Sequence, residues 1–171
     1  TKIMPHNFNE LCKASIQVLE GKKPKLVPDF PTGGMIDAGD YQGGKRGGKL
    51  RVRAHIEQAD KNTLLIKDVP YGVTTSTLMD SIVKANEKGK IKIKRVTDNT
   101  AKEVEIQVDL APGVSPDVTI DALYAFTNCE VSISPNACVI IDNKPHFLTV
   151  YELLRMSTEH TRELLRKELE V

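Results

Sequence analysis

The sequence predicts an α+β fold, because two hydrophobic periods alternate along the chain and neither dominates. From Leu50 the period is two, with Leu50, Val52, Ala54 and Ile56 on one side and Arg51, Arg53, His55 and Glu57 on the other. That alternation marks a strand with one buried face. Leu78, Met79, Ile82 and Val83 instead recur at helical spacing. Across residues 63–148 the order reads strand, helix, strand, strand, helix, strand, the split βαβ order of ferredoxin-like domains. Three consecutive segments follow from this: an N-terminal lobe of one helix and a basic loop (1–57), a ferredoxin-like lobe (58–149), and the start of a long coiled-coil helix (150–171).

Taken in order, Asn7 is a helix N-cap with Glu10 as its capping-box partner. Leu11, Ala14, Val18 and Leu19 form the helical stripe, and Gly21 ends it. Lys22-Lys23-Pro24-Lys25 reads as a solvated helix exit, where the dipole favours cations. After the strand from Leu50, a short loop from Gln58 to Asn62 leads to a second strand, Thr63–Val69. Thr74 or Thr75 starts the next helix and Gly89 stops it.

Lys90-Ile91-Lys92-Ile93-Lys94-Arg95 alternates again. With Asp98-Asn99 as a two-residue hairpin turn, Ile93 faces Val104 and Ile91 faces Ile106 on the core side. Lys94 then faces Glu103, and Lys92 faces Glu105. Opposite charges across a ladder stabilise it, so these lysines are assigned to pairing rather than to a phosphate contact. Ser115-Pro116 is a cap and first turn for a helix carrying Ile120, Leu123, Tyr124 and Phe126. A strand through Val139, Ile140 and Ile141 and a turn at Asp142-Asn143-Lys144-Pro145 follow. From Val150 a helix with Leu153, Leu154, Leu164, Leu165 and Leu169 is expected to run to the end, with 160–171 clear of the core. Its apolar stripe needs a partner, the returning arm of a coiled coil or a neighbouring chain. The chain opens on Thr1 and stops inside a helical pattern, which points to an excised piece of a longer protein.

With 24 basic and 23 acidic residues, the net charge is +1, so any affinity for nucleic acid must come from how charge is distributed. No run of ~18 apolar residues or signal-peptide pattern is present, and a cytoplasmic protein is expected. Cys12, Cys129 and Cys138 are far apart and form no C-x-x-C pair, which argues against a zinc site or a disulfide framework.

One stretch does concentrate charge. Pro28-Asp29-Phe30-Pro31-Thr32-Gly33-Gly34 opens it, a glycine-rich loop with Lys45, Arg46 and Lys49 follows, and Arg51 and Arg53 continue it on one strand face. Those two arginines would lie about 7 Å apart. No acidic residue interrupts the five cations. Glycines allow close approach of the backbone, and lysine and arginine neutralise phosphates. These five residues are therefore the candidate contacts to a polyanion. Gly43, Gly48 and Lys49 also fit G-x-x-x-x-G-K, but Leu50 stands where a magnesium-binding Ser or Thr is needed. A strand follows in place of the required helix, so a nucleotide loop is rejected.

PDFPTGG, the run from Tyr41 to Arg53, and Val69-Pro70-Tyr71-Gly72-Val73 together resemble the A subunit of bacterial type IIA topoisomerases, which gyrase and topoisomerase IV both carry. Lys2-Ile3-Met4-Pro5-His6-Asn7 and Asn143-Lys144-Pro145 extend the resemblance to nearly the whole chain, and the details look more like topoisomerase IV. The resemblance implies the tower domain of an ATP-dependent isomerase that passes one duplex through another, acting in chromosome segregation and supercoil control. The partners it implies are double-stranded DNA and a B (ATPase) subunit, with the A chains forming a homodimer inside an A2B2 complex and no membrane contact. Magnesium and ATP belong to that B subunit, so no cofactor is expected here. Family members cleave through a tyrosine that follows an arginine. Tyr41, Tyr71, Tyr124 and Tyr151 all lack that arginine, so no catalytic residue and no activity are expected of this piece alone.

Two other classes fit the residues without the resemblance: a non-enzymatic ferredoxin-like nucleic-acid-binding module, and a pure scaffold. The former stacks bases on sheet aromatics, and aromatics are only 5% of this chain, with none in Leu50–Ile56 or Lys90–Arg95.

Overall fold

The computed structural model describes residues 3–170. In chain order the first elements are α1 (Phe8–Leu19), β1 (Met35–Asp37), β2 (Leu50–Arg53), β3 (Ile56–Asp60), β4 (Thr63–Ile66) and α2 (Thr75–Glu87). Then come β5 (Ile93–Asp98), β6 (Ile106–Leu110), α3 (Pro116–Phe126), β7 (Glu130–Ile133), β8 (Cys138–Ile141), β9 (Lys144–Phe147) and α4 (Val150–Leu169). The α+β class expected from the two periods holds, with antiparallel sheets and a long final helix. The chain forms two compact units that interleave along the sequence. One takes the segments up to Phe30, Ala38–Leu50 and from Ser134 onward; the other takes Pro31–Asp37 and Arg51–Ile133. The consecutive segments 1–57, 58–149 and 150–171 divide the chain differently.

The second unit holds the main core. Its four-stranded sheet has the order β3-β4-β6-β5. β6 is antiparallel to both β4 and β5, so β4 and β5 are parallel and α2 is the crossover between them. That is the expected split βαβ. Leu64, Ile66, Ile106, Val108 and Leu110 pack against Leu78, Ile82 and Ala85 of α2 and Leu123 of α3. Each fully buried large side chain contributes about 1.5–3 kcal/mol. Thr74 caps α2 through a reciprocal box with Thr77, as its position in the sequence suggests.

Three strand expectations are corrected. The strand from Leu50 does not run on to Glu57, because the His55 amide donates to the Asp68 carboxylate at 2.6 Å instead of joining a ladder. The expected loop Gln58–Asn62 is mostly strand: β3 continues to Asp60 and pairs with β4. Val139–Ile141 does not complete the ferredoxin-like sheet. It folds onto β9 through Asp142 and Asn143, both at positive φ, the two-residue turn geometry that favours a local hairpin. β3 takes the sheet position next to β4, and β7 joins β1 and β2 in a separate sheet.

The predicted register of the lysine-rich hairpin is also wrong. Ile93 pairs with Leu110, not Val104, and Val96 pairs with Val108. The turn is longer than two residues. The Asp98 carboxylate accepts from the Thr100 amide, and the Asn99 amide donates to the Glu105 carbonyl. An irregularity between Ile93 and Arg95 shifts the strand further. Glu105 therefore pairs with Lys67 at 2.6 Å, and Lys92 and Lys94 pair with neither glutamate.

In the first unit, α1 packs on α4. Asn7 caps α1 by accepting from the Asn9 and Glu10 amides. Leu19, expected in the buried stripe, is half exposed, whereas Ala14 is buried. α4 runs as expected: residues 159–170 are exposed throughout and do not return to a core. Met156, Leu164, Leu165 and Leu169 stay exposed. Among the described residues, no helix is long and apolar enough to cross a membrane.

Candidate nucleic-acid interface

The cationic loop belongs to the first unit and is fixed by its backbone. A 3-10 turn over Gln42–Gly44 follows Tyr41. The Gly48 amide donates to the Lys45 carbonyl at 3.2 Å, and the Lys49 amide donates to the Asp40 carbonyl at 2.8 Å. At Gly48 a Cβ would lie 2.3 Å from the Tyr41 carbonyl oxygen, so only glycine fits. The Gly44 carbonyl accepts from the Ala137 amide, and a Cβ at Gly43 would touch Thr149, the cap of α4. Lys45, Arg46 and Lys49 are exposed, and among the described residues none of them forms an ion pair. Lys45 lies close enough to Glu152 to help lower that carboxyl, after the larger effect of the Thr149 backbone hydrogen bond.

The two arginines of β2 sit in the second unit, on one exposed face as the alternation predicts. Both have partners that the sequence did not suggest. Arg51 donates to Asp37 of β1 at 2.8 Å. Arg53 is bonded to Glu130 of β7, and its guanidinium lies 4.9 Å from the centre of the Tyr124 ring. The Glu130 hydrogen bond raises the Arg53 pKa further above its ordinary value. A small recess of about 230 Å³ opens beside Met35, Ile36, Asp37, Arg51 and Arg53. His55, placed by alternation on the same face, lies at the strand break with its ring 3.1 Å from Glu57.

Two of the four tyrosines, Tyr41 and Tyr124, are held in ways that oppose nucleophilic use. Burial pushes the Tyr41 hydroxyl up to about 12. Burial also raises Tyr124, whose hydroxyl donates to the Ala54 carbonyl at 2.9 Å. Tyr151 carries Lys23 over its ring. Cys129 is buried with its thiol pushed up to about 11, Cys12 is exposed and Cys138 is half-buried. Among the described residues, no group of three or more His, Cys, Asp or Glu side chains could hold a metal ion.

A backbone-clamped cationic loop with arginines directly after it in the chain suits a polyanion. The sequence matches the family of DNA gyrase/topoisomerase IV A subunits over residues 1–171. The chain belongs to this family. The A subunit of DNA topoisomerase 4 from Borreliella burgdorferi is 41% identical over 170 residues, covering 99% of this chain and 27% of that protein. The A subunit of DNA gyrase from Lawsonia intracellularis is 32% identical over 182 residues, covering 96% and 22%. The A subunit of DNA gyrase from Borreliella burgdorferi is 27% identical over 187 residues, covering 99% and 23%. The chain thus spans about a quarter of the length of these relatives.

Proposed function

We propose that this chain is the tower region of the A subunit of an ATP-dependent type II DNA topoisomerase, and that it contacts the backbone of the bent gate duplex. One observation carries the reading: Lys45, Arg46 and Lys49 are three exposed cations, without an ion pair among the described residues, on a loop whose backbone is already fixed. A preformed loop loses little freedom on binding. Bending a duplex costs on the order of 1–6 kcal/mol, offset by contacts outside the cut site. Phosphate contacts position the duplex without reading its sequence.

The topoisomerase IV side is supported by 41% identity to the topoisomerase 4 relative from Borreliella burgdorferi, against 27% to the gyrase relative from the same organism. In the whole enzyme, cleavage belongs to a tyrosine elsewhere in the A subunit, and magnesium and ATP belong to the B subunit of an A2B2 assembly. The part played here is support of the duplex arms.

The five cations are not equal. Arg51 and Asp37 are both more than half exposed, and such a pair is worth ~0.2–1 kcal/mol, little enough for a phosphate to replace. Arg53 is held by Glu130 and Tyr124. The loop cations therefore contribute most, then Arg51, then Arg53.

The test is titration of labelled duplex, over a series of salt concentrations, with the full-length A subunit. Lys45→Gln, Arg46→Gln and Lys49→Gln together should reduce the log–log salt slope by up to ~2.7, and do so for every sequence. An unchanged slope overturns the assignment.

A further inference from the structure

Lys84, Lys88 and Lys90 converge with Phe126 on one recess at the C-terminal end of α2, and the loop-and-strand assignment leaves them unused. Positions 81, 84, 85 and 88 share a helix face by their spacing. The helix then ends so that Lys90 is brought back beside them. Gly89, at φ +68, donates to the Asn86 carbonyl, and the Lys90 amide donates to the Ala85 carbonyl at 2.9 Å. This paired closure is a Schellman motif, and it fixes where the third lysine stands.

The recess is about 340 Å³ and is lined by Ser81, Lys84, Ala85, Lys88, Lys90 and Phe126. Ala85 is its buried floor. The Ser81 hydroxyl is already used, donating to the Leu78 carbonyl and accepting from the Asn128 amide. The Phe126 ring is 52% exposed, with the Lys90 ammonium 5.4 Å from its centre. Among the described residues, none of the three lysines forms an ion pair. Like charges one helical turn apart repel, and the negative end of the helix dipole offsets only part of that. The recess presents ammonium groups and one aromatic face, which is chemistry for an anion.

We infer that this recess is a second phosphate-contact surface for duplex DNA, on a different element from the cationic loop. The inference rests on the reading that this part of the protein lies against DNA. Charge complementarity selects the partner: three unpaired lysines match a backbone carrying one charge per ~1.7 Å of duplex axis. A single strand fits less well, since it needs successive stacking rings, and the recess has one, already faced by Lys90.

The experiment uses the full-length A subunit, labelled duplexes of two unrelated sequences and a salt series. Lys84→Gln, Lys88→Gln and Lys90→Gln together should lower the salt slope by about 2–3, equally for both sequences. The matching triple Lys→Arg variant should keep the wild-type slope. If the triple Gln variant misfolds, Lys88→Gln alone should lower the slope by ~0.9. A Gln variant with the wild-type slope overturns the inference. It does so equally if that variant has lost binding to a poly-glutamate peptide, which would reassign the surface to an acidic protein. The loop variant is titrated in parallel. An unchanged slope there removes the loop assignment and leaves this surface standing, and the reverse result does the opposite.

Discussion

The carbonyl oxygen of Tyr41 stands 2.3 Å from where a Cβ on Gly48 would be. Neither backbone can move freely, because the Lys49 amide, one residue on, is bonded to the Asp40 carbonyl. Gly48→Ala should therefore destabilise the fold by about 1–3 kcal/mol, as overpacking against fixed atoms does. Lys49→Ala, at an exposed side chain, should stay within ~0.5 kcal/mol of wild type. Denaturant midpoints decide it. Equal midpoints for the two variants would mean that the loop is not clamped.

Lys67 and Glu105 should be coupled, and Lys92 and Glu105 should not. The first pair meets one residue beyond the Ile66–Ile106 end of the β4–β6 ladder, at 2.6 Å, with both side chains over a third exposed. A double-mutant cycle to Ala should give a small favourable coupling that salt weakens. The same cycle on Lys92 and Glu105 should give none. The opposite pattern would restore the two-residue turn at Asp98-Asn99.

What could be read in the sequence divides along the range of the forces involved. Helix starts at Asn7 and Thr74 were legible because a cap acts within three residues, and the start after Ser115 because Pro116 suits a first helical turn, although the Ser115 side chain makes no cap bond. Strand partners were not. Asp68 intercepts the His55 amide across 13 residues and also accepts from the Gly34 amide across 34. The Asp142-Asn143 turn was visible, but not that it closes a private hairpin. In the candidate interface, the exposure of Lys45, Arg46 and Lys49 was legible from glycines and charge. The carboxylates on Arg51 and Arg53 come from 14 and 77 residues away, on neighbouring strands, and no local pattern points to them.

The cap of α4 should make stability depend on acid. Thr149 donates its amide to the Glu152 carboxylate at 2.7 Å, and the Glu152 amide donates to the Thr149 hydroxyl at 3.1 Å. The amide bond, above all, lowers the Glu152 carboxyl below its ordinary 4.5. A lowered folded-state value contributes stability that is complete above 4.5 and is lost as pH falls through the lowered value. Wild type should therefore lose more stability than Glu152→Gln between neutral pH and pH values below that point. Thr149→Ala should cost about 1 kcal/mol at neutral pH. Parallel acid curves for wild type and Glu152→Gln would show that the carboxylate contributes nothing.

Arg51 and Arg53 alternate on one strand face, yet the same substitution should do different things at the two positions. Arg53→Ala strips the partner from Glu130, whose side chain is only 20% exposed, and uncovers the Tyr124 ring. A part-buried carboxylate left without its donor costs about 1–3 kcal/mol, so this variant should be measurably less stable. Arg51→Ala removes one bond from an Asp37 that is 56% exposed, and water replaces it, so stability should stay within ~1 kcal/mol. The order reverses for DNA. Arg51 exchanges an exposed carboxylate for a phosphate, so Arg51→Ala should lower the log–log salt slope by ~0.9. Arg53→Ala should lower it less once unfolded protein is accounted for. Denaturant unfolding and salt-series titration on both full-length variants give the comparison. If Arg53→Ala leaves stability intact but lowers the salt slope more than Arg51→Ala does, then Glu130 and Tyr124 do not hold that guanidinium, and the ranking of the cations is inverted.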